Sequence, residues 1–167
     1  MGPQQLSQAL QKAQGKNVKA VAPVHLGGQT ENLTAIQKIA EQNNLYVIED
    51  ACHAIGTIYD DDNVRYPVGA CEQSDVTIFS FHPVKTIAMG EGGAITTRQE
   101  NLYQRMLKLR CHGMNRNRDT FLHIDRATGA DGLANQWYYE MTELVLNYRV
   151  SDIHCALGLS QLNKLAL

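Results

Sequence analysis

Two short apolar strands separated by one amphipathic helix constrain this chain more than any other feature. Val18 to Leu26 is apolar and β-branched, and it ends at Gly27-Gly28. Leu33, Ile36, Ile39 and Ala40 then recur at helical spacing, Glu41-Gln42-Asn43-Asn44 closes that helix, and Leu45 to Asp50 is apolar again until it reaches a carboxylate. This order is a β-α-β unit. A chain that leaves one strand through a helix and returns to the same sheet makes parallel neighbours, with helices on the sheet faces. The predicted class is therefore α/β, a three-layer helix-sheet-helix arrangement around a mainly parallel sheet.

The remaining pattern extends that sheet. Gln4 to Gln14 reads as a helix with Leu6 and Leu10 one turn apart and Gly15 as its stop. Asp75 to Phe81 and Gly93 to Thr97 read as strands, and Leu102, Met106 and Leu109 mark a helix that ends near Gly113. Tyr59-Asp60-Asp61-Asp62-Asn63 is acidic and polar, so a solvated loop is expected there. Met114 to Trp137 is a long polar excursion, and Ser151 caps a final helix with Ile153, Leu157 and Leu162 on one side. No repeat is visible, and 167 residues suit one domain with one ordinary core.

Composition excludes several classes. Lys plus Arg number 15 against 17 Asp plus Glu, a net charge of −2 without a basic run, so a nucleic-acid partner is not expected. No apolar run approaches the roughly 20 residues of a membrane span, and a signal pattern is missing, which points to the cytoplasm. Cys52, Cys71, Cys111 and Cys155 are scattered, as reduced thiols would be. Cys52-His53, Cys111-His112 and His154-Cys155 raise a zinc reading. Adjacent side chains diverge on strand or helix, so buried small thiols are the plainer account and no metal is expected.

The chemistry concentrates at two strand ends. Phe79-Ser80-Phe81-His82-Pro83-Val84 leads into Lys85, and a glycine-rich turn through Gly90-Glu91-Gly92-Gly93 follows. An amine just past a buried strand, with a hydroxyl before it and flexible backbone after it, has the setting of an imine-forming lysine. Burial would lower its pKa from about 10.4 and leave part of it unprotonated. Asp50 ends the earlier strand, where a carboxylate favours a protonated pyridine nitrogen. His53, three residues on, suits a ring contact. Ser80 and His82 share one face while the strand lasts, and the hydroxyl suits a phosphate. Ends of adjacent strands are where α/β sheets bind ligands, and pyridoxal 5'-phosphate matches this set.

Asp50-Ala51-Cys52-His53-Ala54-Ile55-Gly56, Ser80-Phe81-His82 with Lys85, and Asn147-Tyr148-Arg149 with Ala156-Leu157-Gly158-Leu159-Ser160-Gln161-Leu162 strongly resemble the DegT/DnrJ/StrS family of pyridoxal phosphate-dependent sugar aminotransferases. The resemblance implies the fold type I, aspartate aminotransferase-like large domain. It makes Lys85 similar to the Schiff-base lysine, Asp50 to the pyridine-nitrogen partner, His53 to a ring contact and Ser80 to a phosphate ligand. Asn147 matches a residue that reaches the neighbouring subunit's cofactor phosphate, which implies a homodimer with shared active sites. The implied acceptor is a nucleotide-linked keto-sugar of bacterial surface-sugar biosynthesis, and the implied donor is glutamate.

Against the family pattern, residues 1–167 make a partial cofactor-binding large domain. The N-terminal segment and the C-terminal small domain are not in it, so weak or no turnover is expected of this piece alone. Tyr59 to Ser74 and Met114 to Glu143 are longer than expected for the family. A dehydratase of the same superfamily would carry histidine in place of Lys85, and a noncatalytic α/β dimerisation domain is the other alternative.

Overall fold

The computed structural model describes residues 1–61 and 64–165. They fall into two compact units, residues 1–99 with the chain from 150 onward, and residues 100–149.

The first unit is built on a four-stranded sheet. Helix α1 (Pro3–Lys12) precedes strand β1 (Ala20–Val21), and helix α2 (Leu33–Gln42) leads to β2 (Tyr46–Asp50). Asn32 caps α2 by accepting from the Ala35 amide at 2.8 Å, as a polar residue before an apolar helical repeat should. Strands β5 (Val76–Ser80) and β6 (Gly93–Thr96) complete the sheet in the order β1-β2-β5-β6. β1, β2 and β5 run parallel, whereas β6 pairs antiparallel with β5, with Ser80 opposite Gly93. The mainly parallel α/β architecture expected from the patterning is present.

The core lies where α1 and α2 stack and α2 meets β2, and Leu6, Leu33, Ile36, Ala40 and Val47 are all buried there. Each belongs to a helical or strand repeat, so the residues that set the period also fill the interior. Fully burying one such side chain contributes about 1.5–3 kcal/mol.

Three expectations change. The first strand is shorter than Val18 to Leu26: after Val21 only a single parallel bridge, Val24 to Asp50, continues it, and Leu26–Gly28 form a 3-10 turn with Gly27 at φ 63°. The acidic stretch is not simply a solvated loop. Ile58–Asp61 (β3) pairs antiparallel with Val64–Pro67 (β4), while Asp62 and Asn63 lie outside the described residues. Tyr59 is 8 % exposed, stacks 5.7 Å from the Tyr66 ring and bonds through its hydroxyl to Gln73. One ring facing inward was enough to recruit the segment, because an aromatic carries a large apolar area and strand geometry sends Asp60 the other way. The β2-to-β5 connection thus contains a hairpin where a solvated loop was expected. Finally, helix α4 (Asp152–Leu162) is capped by Ser151 as predicted, yet none of its residues is buried, and Ile153 is 76 % exposed.

The second unit starts with helix α3 (Glu100–Arg110), which stops where His112 and Gly113 adopt positive φ. Two short strands, β7 (Met114–Asn115) and β8 (Glu140–Met141), pair antiparallel and close the excursion at its base. Glu140 is buried and accepts from the Leu122 amide at 2.7 Å, the His123 amide at 2.8 Å and the Tyr138 hydroxyl at 3.0 Å. A single carboxylate therefore satisfies the backbone of the turn it faces.

Candidate active site

Asp50 is held from both sides at the carboxyl edge of the sheet. Its amide donates to the Pro23 carbonyl at 2.9 Å, its carbonyl accepts from the His25 amide at 3.0 Å, and the next amide, Ala51, donates to Ile78 at 2.8 Å. These bonds tie the end of β2 to both neighbours and leave the half-buried Asp50 side chain projecting from a fixed backbone. The Cys52 amide donates to its Oδ1 at 3.1 Å. The Cys52 thiol beside Asp50, above all, holds the carboxyl below the usual aspartate range against the cost of burial, with the charge of Lys85 acting in the same direction. An ionised carboxylate thus stands at the strand end, in the electrostatic field of Lys85. His53 is exposed in the turn that follows.

Lys85 lies in a loop fastened at both ends. Phe81 donates its amide to the Gly92 carbonyl and Met89 donates to Phe81, each at 2.9 Å, and Lys85 donates its own amide to His82 at 2.9 Å. The lysine is half-buried, as is Ser80, the last residue of β5. Ser80 Oγ accepts from the His82 amide at 3.4 Å, so the hydroxyl faces the start of the lysine loop. His82 itself is exposed beyond the strand end, and the face it was expected to share with Ser80 ends at Ser80. Helix α4 approaches the loop closely: a Cβ on Gly90 would fall 2.9 Å from His154 Cδ2, and one on Gly158 3.2 Å from Met89 Cβ. Glycine at both positions lets helix and loop meet.

Sequence reasoning missed a buried polar cluster directly behind Asp50. His25 Nε2 lies 2.7 Å from Glu49 Oε2, and Glu49 also accepts from the Thr77 hydroxyl at 3.0 Å and from Ser74. Burial pushes the Glu49 carboxyl up, but the hydrogen bonds from His25, Ser74 and Thr77 outweigh it and hold the group low. The signal was available in period two: Glu49 precedes Asp50 in a strand, so one carboxylate faces the ligand edge and its neighbour faces the interior. Cys52 was read only as a buried thiol. Its sulfur is pushed up in pKa by burial and then by the Asp50 carboxylate it bonds.

Asn147 sits in the second unit, exposed, where it bridges to Cys111. Its Oδ1 accepts from the Arg149 amide at 3.1 Å and from Arg149 Nε at 3.2 Å. That leaves the Nδ2 donors without a hydrogen bond among the described residues and suited to an acceptor such as a phosphate oxygen.

The donor set fits pyridoxal phosphate: an ionised carboxylate for a ring N–H⁺, an amine within its field, and a hydroxyl at the neighbouring strand end for the phosphate. This fold and donor set suit the class of pyridoxal phosphate-dependent enzymes built on an α/β sheet. The chain belongs to the DegT/DnrJ/EryC1/StrS aminotransferase family, whose family model matches residues 1–167.

Among curated relatives, the UDP-4-amino-4,6-dideoxy-N-acetyl-beta-L-altrosamine transaminase of Campylobacter jejuni is 34 % identical over 152 residues, covering 91 % of this chain and 34 % of the relative. The spore coat polysaccharide biosynthesis protein SpsC of Bacillus subtilis is 36 % identical, covering 93 % of this chain and 36 % of its own. Among solved structures, Helicobacter pylori PseC, an aminotransferase involved in the biosynthesis of pseudoaminic acid, superposes with a TM-score of 0.74 at 28 % identity. That match covers 95 % of this chain and 36 % of PseC. The chain thus spans about a third of the length of the relatives it matches.

Proposed function

We propose that the whole protein transfers an amino group from an amino acid, glutamate, to a nucleotide-linked keto-sugar, in the cytoplasm and as a homodimer with shared sites. The observation that carries this reading is the convergence of Asp50 and Lys85 at adjoining strand ends, with the carboxyl held low partly by the lysine's charge. Among the described residues no helix is long and apolar enough to cross a membrane.

When bound, pyridoxal phosphate supplies an electron sink that stabilises the charge left as a proton departs from carbon. Asp50 favours the protonated ring nitrogen, because an anion beside a cation stabilises the charged form of both. Cys52 supports Asp50 by donating to it, which keeps the carboxylate ionised and fixed. Lys85 Nζ would take the proton from the donor's α-carbon as general base and, in the second half of the transfer, deliver one as general acid to the sugar carbon that gains the amine. The pinned ends of its loop limit how far Nζ wanders. Ser80 would hold the phosphate, His53 would contact the ring, and Asn147 Nδ2 would donate to the phosphate in the partner subunit.

Lys85 also opposes the dehydratase alternative, since a lysine stands where that chemistry would place histidine. The test is spectroscopic. The full-length protein should turn yellow with pyridoxal phosphate and lose that band on adding glutamate, whereas Lys85→Ala should fold and show neither change. Full transamination by Lys85→Ala would end this assignment.

A further inference from the structure

Pro23 interrupts the ladder that holds the end of β2. Ala20 and Val21 of β1 pair with Tyr46 and Val47, and the same register returns only at the isolated bridge from Val24 to Asp50. Proline has no N–H to give, so the ladder weakens just before the residue whose carboxylate the site needs fixed. His25 takes up that load twice. Its amide donates to the Asp50 carbonyl at 3.0 Å, and its ring Nε2 meets Glu49 Oε2 at 2.7 Å.

Polar groups continue behind this grip. Glu49 accepts from the Thr77 hydroxyl at 3.0 Å and from Ser74. Thr77 Oγ1 lies 3.3 Å from Cys71 Sγ, and Cys71 donates to the Thr96 carbonyl at 3.3 Å. The bonds therefore run from the segment after β1 across β2 and β5 to β6, the full width of the sheet. His25, Glu49 and Thr77 are all buried. Stability does not explain this choice of residues. A buried carboxylate and its partner are often matched or bettered by well-packed apolar side chains of similar volume. His25 Nδ1 adds a buried nitrogen with no hydrogen-bond partner among the described residues, which is a further cost. What the cluster has that an apolar filling lacks is direction. Hydrogen bonds from several strands orient Glu49, and in a strand the facing of one residue fixes the opposite facing of the next.

We propose that His25 and Glu49 are positioning residues: through the strand they hold the Asp50 carboxylate against the cofactor's ring nitrogen, and so set how firmly that nitrogen keeps its proton. The inference deepens the transaminase reading and rests on it for the cofactor. Coulomb attraction makes the placement matter. At a protein-like dielectric, retreat of a carboxylate by about 1 Å from contact weakens its hold on a cation by about tenfold, or about one pH unit in the release of the proton.

The test replaces the pair by apolar side chains of similar volume, His25→Phe together with Glu49→Leu. This leaves neither partner stranded and should give a urea midpoint close to that of the wild type. In the full-length protein without cofactor, amide exchange at Asp50 and at position 25 should quicken by about tenfold or more while that of α2 stays unchanged. With ¹⁵N-labelled pyridoxal phosphate bound, the NMR shift of the ring nitrogen should show its proton leaving about one pH unit lower than in the wild type. Thr77→Val strips one bond from Glu49 and should move both readouts the same way by about threefold. It carries the test if the double variant fails to fold.

Unchanged exchange at Asp50 in the folded variant, or quickened exchange with an unmoved nitrogen titration, would each overturn the proposal. A wild type that takes up no cofactor would count against the transaminase reading, and the exchange measurement would still decide whether the pair positions Asp50.

Discussion

His25 Nε2 and Glu49 Oε2 are 2.7 Å apart in a pair whose side chains are 0 % and 2 % exposed. His25 lies just past β1 and Glu49 is the residue before Asp50, so the pair ties together the two chain segments whose backbones flank the Asp50 carboxylate. His25 Nδ1 is buried without a hydrogen-bond partner among the described residues, so the imidazole depends on Glu49 for its polar contact. Removing one member of such a pair leaves the other stranded, at a cost of about 3–5 kcal/mol. Glu49→Ala should lower unfolding free energy by that amount in urea titration. A loss below about 1 kcal/mol would show that the pair is not a structural anchor.

The same pair sets a pH dependence. Glu49 is held below the usual carboxylate range in the folded chain, so the unfolded chain binds the proton first as pH falls. Its stabilising contribution is present above the unfolded glutamate value of about 4.3 and is lost as pH drops through the lower folded value. Stability measured from pH 7 down to about 3 should therefore fall more steeply for the wild type than for Glu49→Gln. Parallel curves would refute the assignment.

Cys52 should react slowly. Burial and the neighbouring Asp50 carboxylate both push its thiol above the ordinary cysteine value, and only the thiolate is nucleophilic. Iodoacetamide labelling, followed at the Cys52 peptide by mass spectrometry, should lag behind that of exposed Cys155 at neutral pH. Asp50→Asn removes the charge and should speed labelling of Cys52 without changing Cys155.

Gly93 has no room for a side chain. A Cβ there would stand 2.5 Å from the Phe79 carbonyl oxygen, across the β5–β6 ladder that anchors the lysine loop. Gly93→Ala should cost about 1–3 kcal/mol through strain. Amide exchange at Phe81, bonded to Gly92, should quicken with it. An unchanged melting temperature with unchanged exchange would contradict this account.

Lys85→Ala should reduce amino transfer by the full-length protein by about 10²–10⁴-fold, the usual loss on removing a general acid–base group. Stopped-flow loss of the cofactor band with glutamate checks it. A near-wild-type rate would move the proton transfer to another residue.

Much of this was legible in order along the chain. The spacing of Leu33, Ile36 and Ala40, the strand ending at Asp50 and the cap at Ser151 all appear where local periodicity and capping chemistry put them. Asp50 and Lys85 were legible as a pair because both follow apolar strands, and strand ends in one sheet are neighbours. Tyr59 was not legible, since a single aromatic among aspartates carries no period. The reversed direction of β6 was equally hidden, because strand patterning is the same whichever way the strand runs.

The sequence alone determined the α/β class, the lysine loop and the carboxylate at the strand end, because these rest on short-range spacing and on the chemistry of single residues. Only the tertiary structure decided that Glu49 turns inward to His25 and that Cys52 supports Asp50. Those contacts bridge residues distant in sequence or depend on which face a side chain takes, and chain folding alone fixes either.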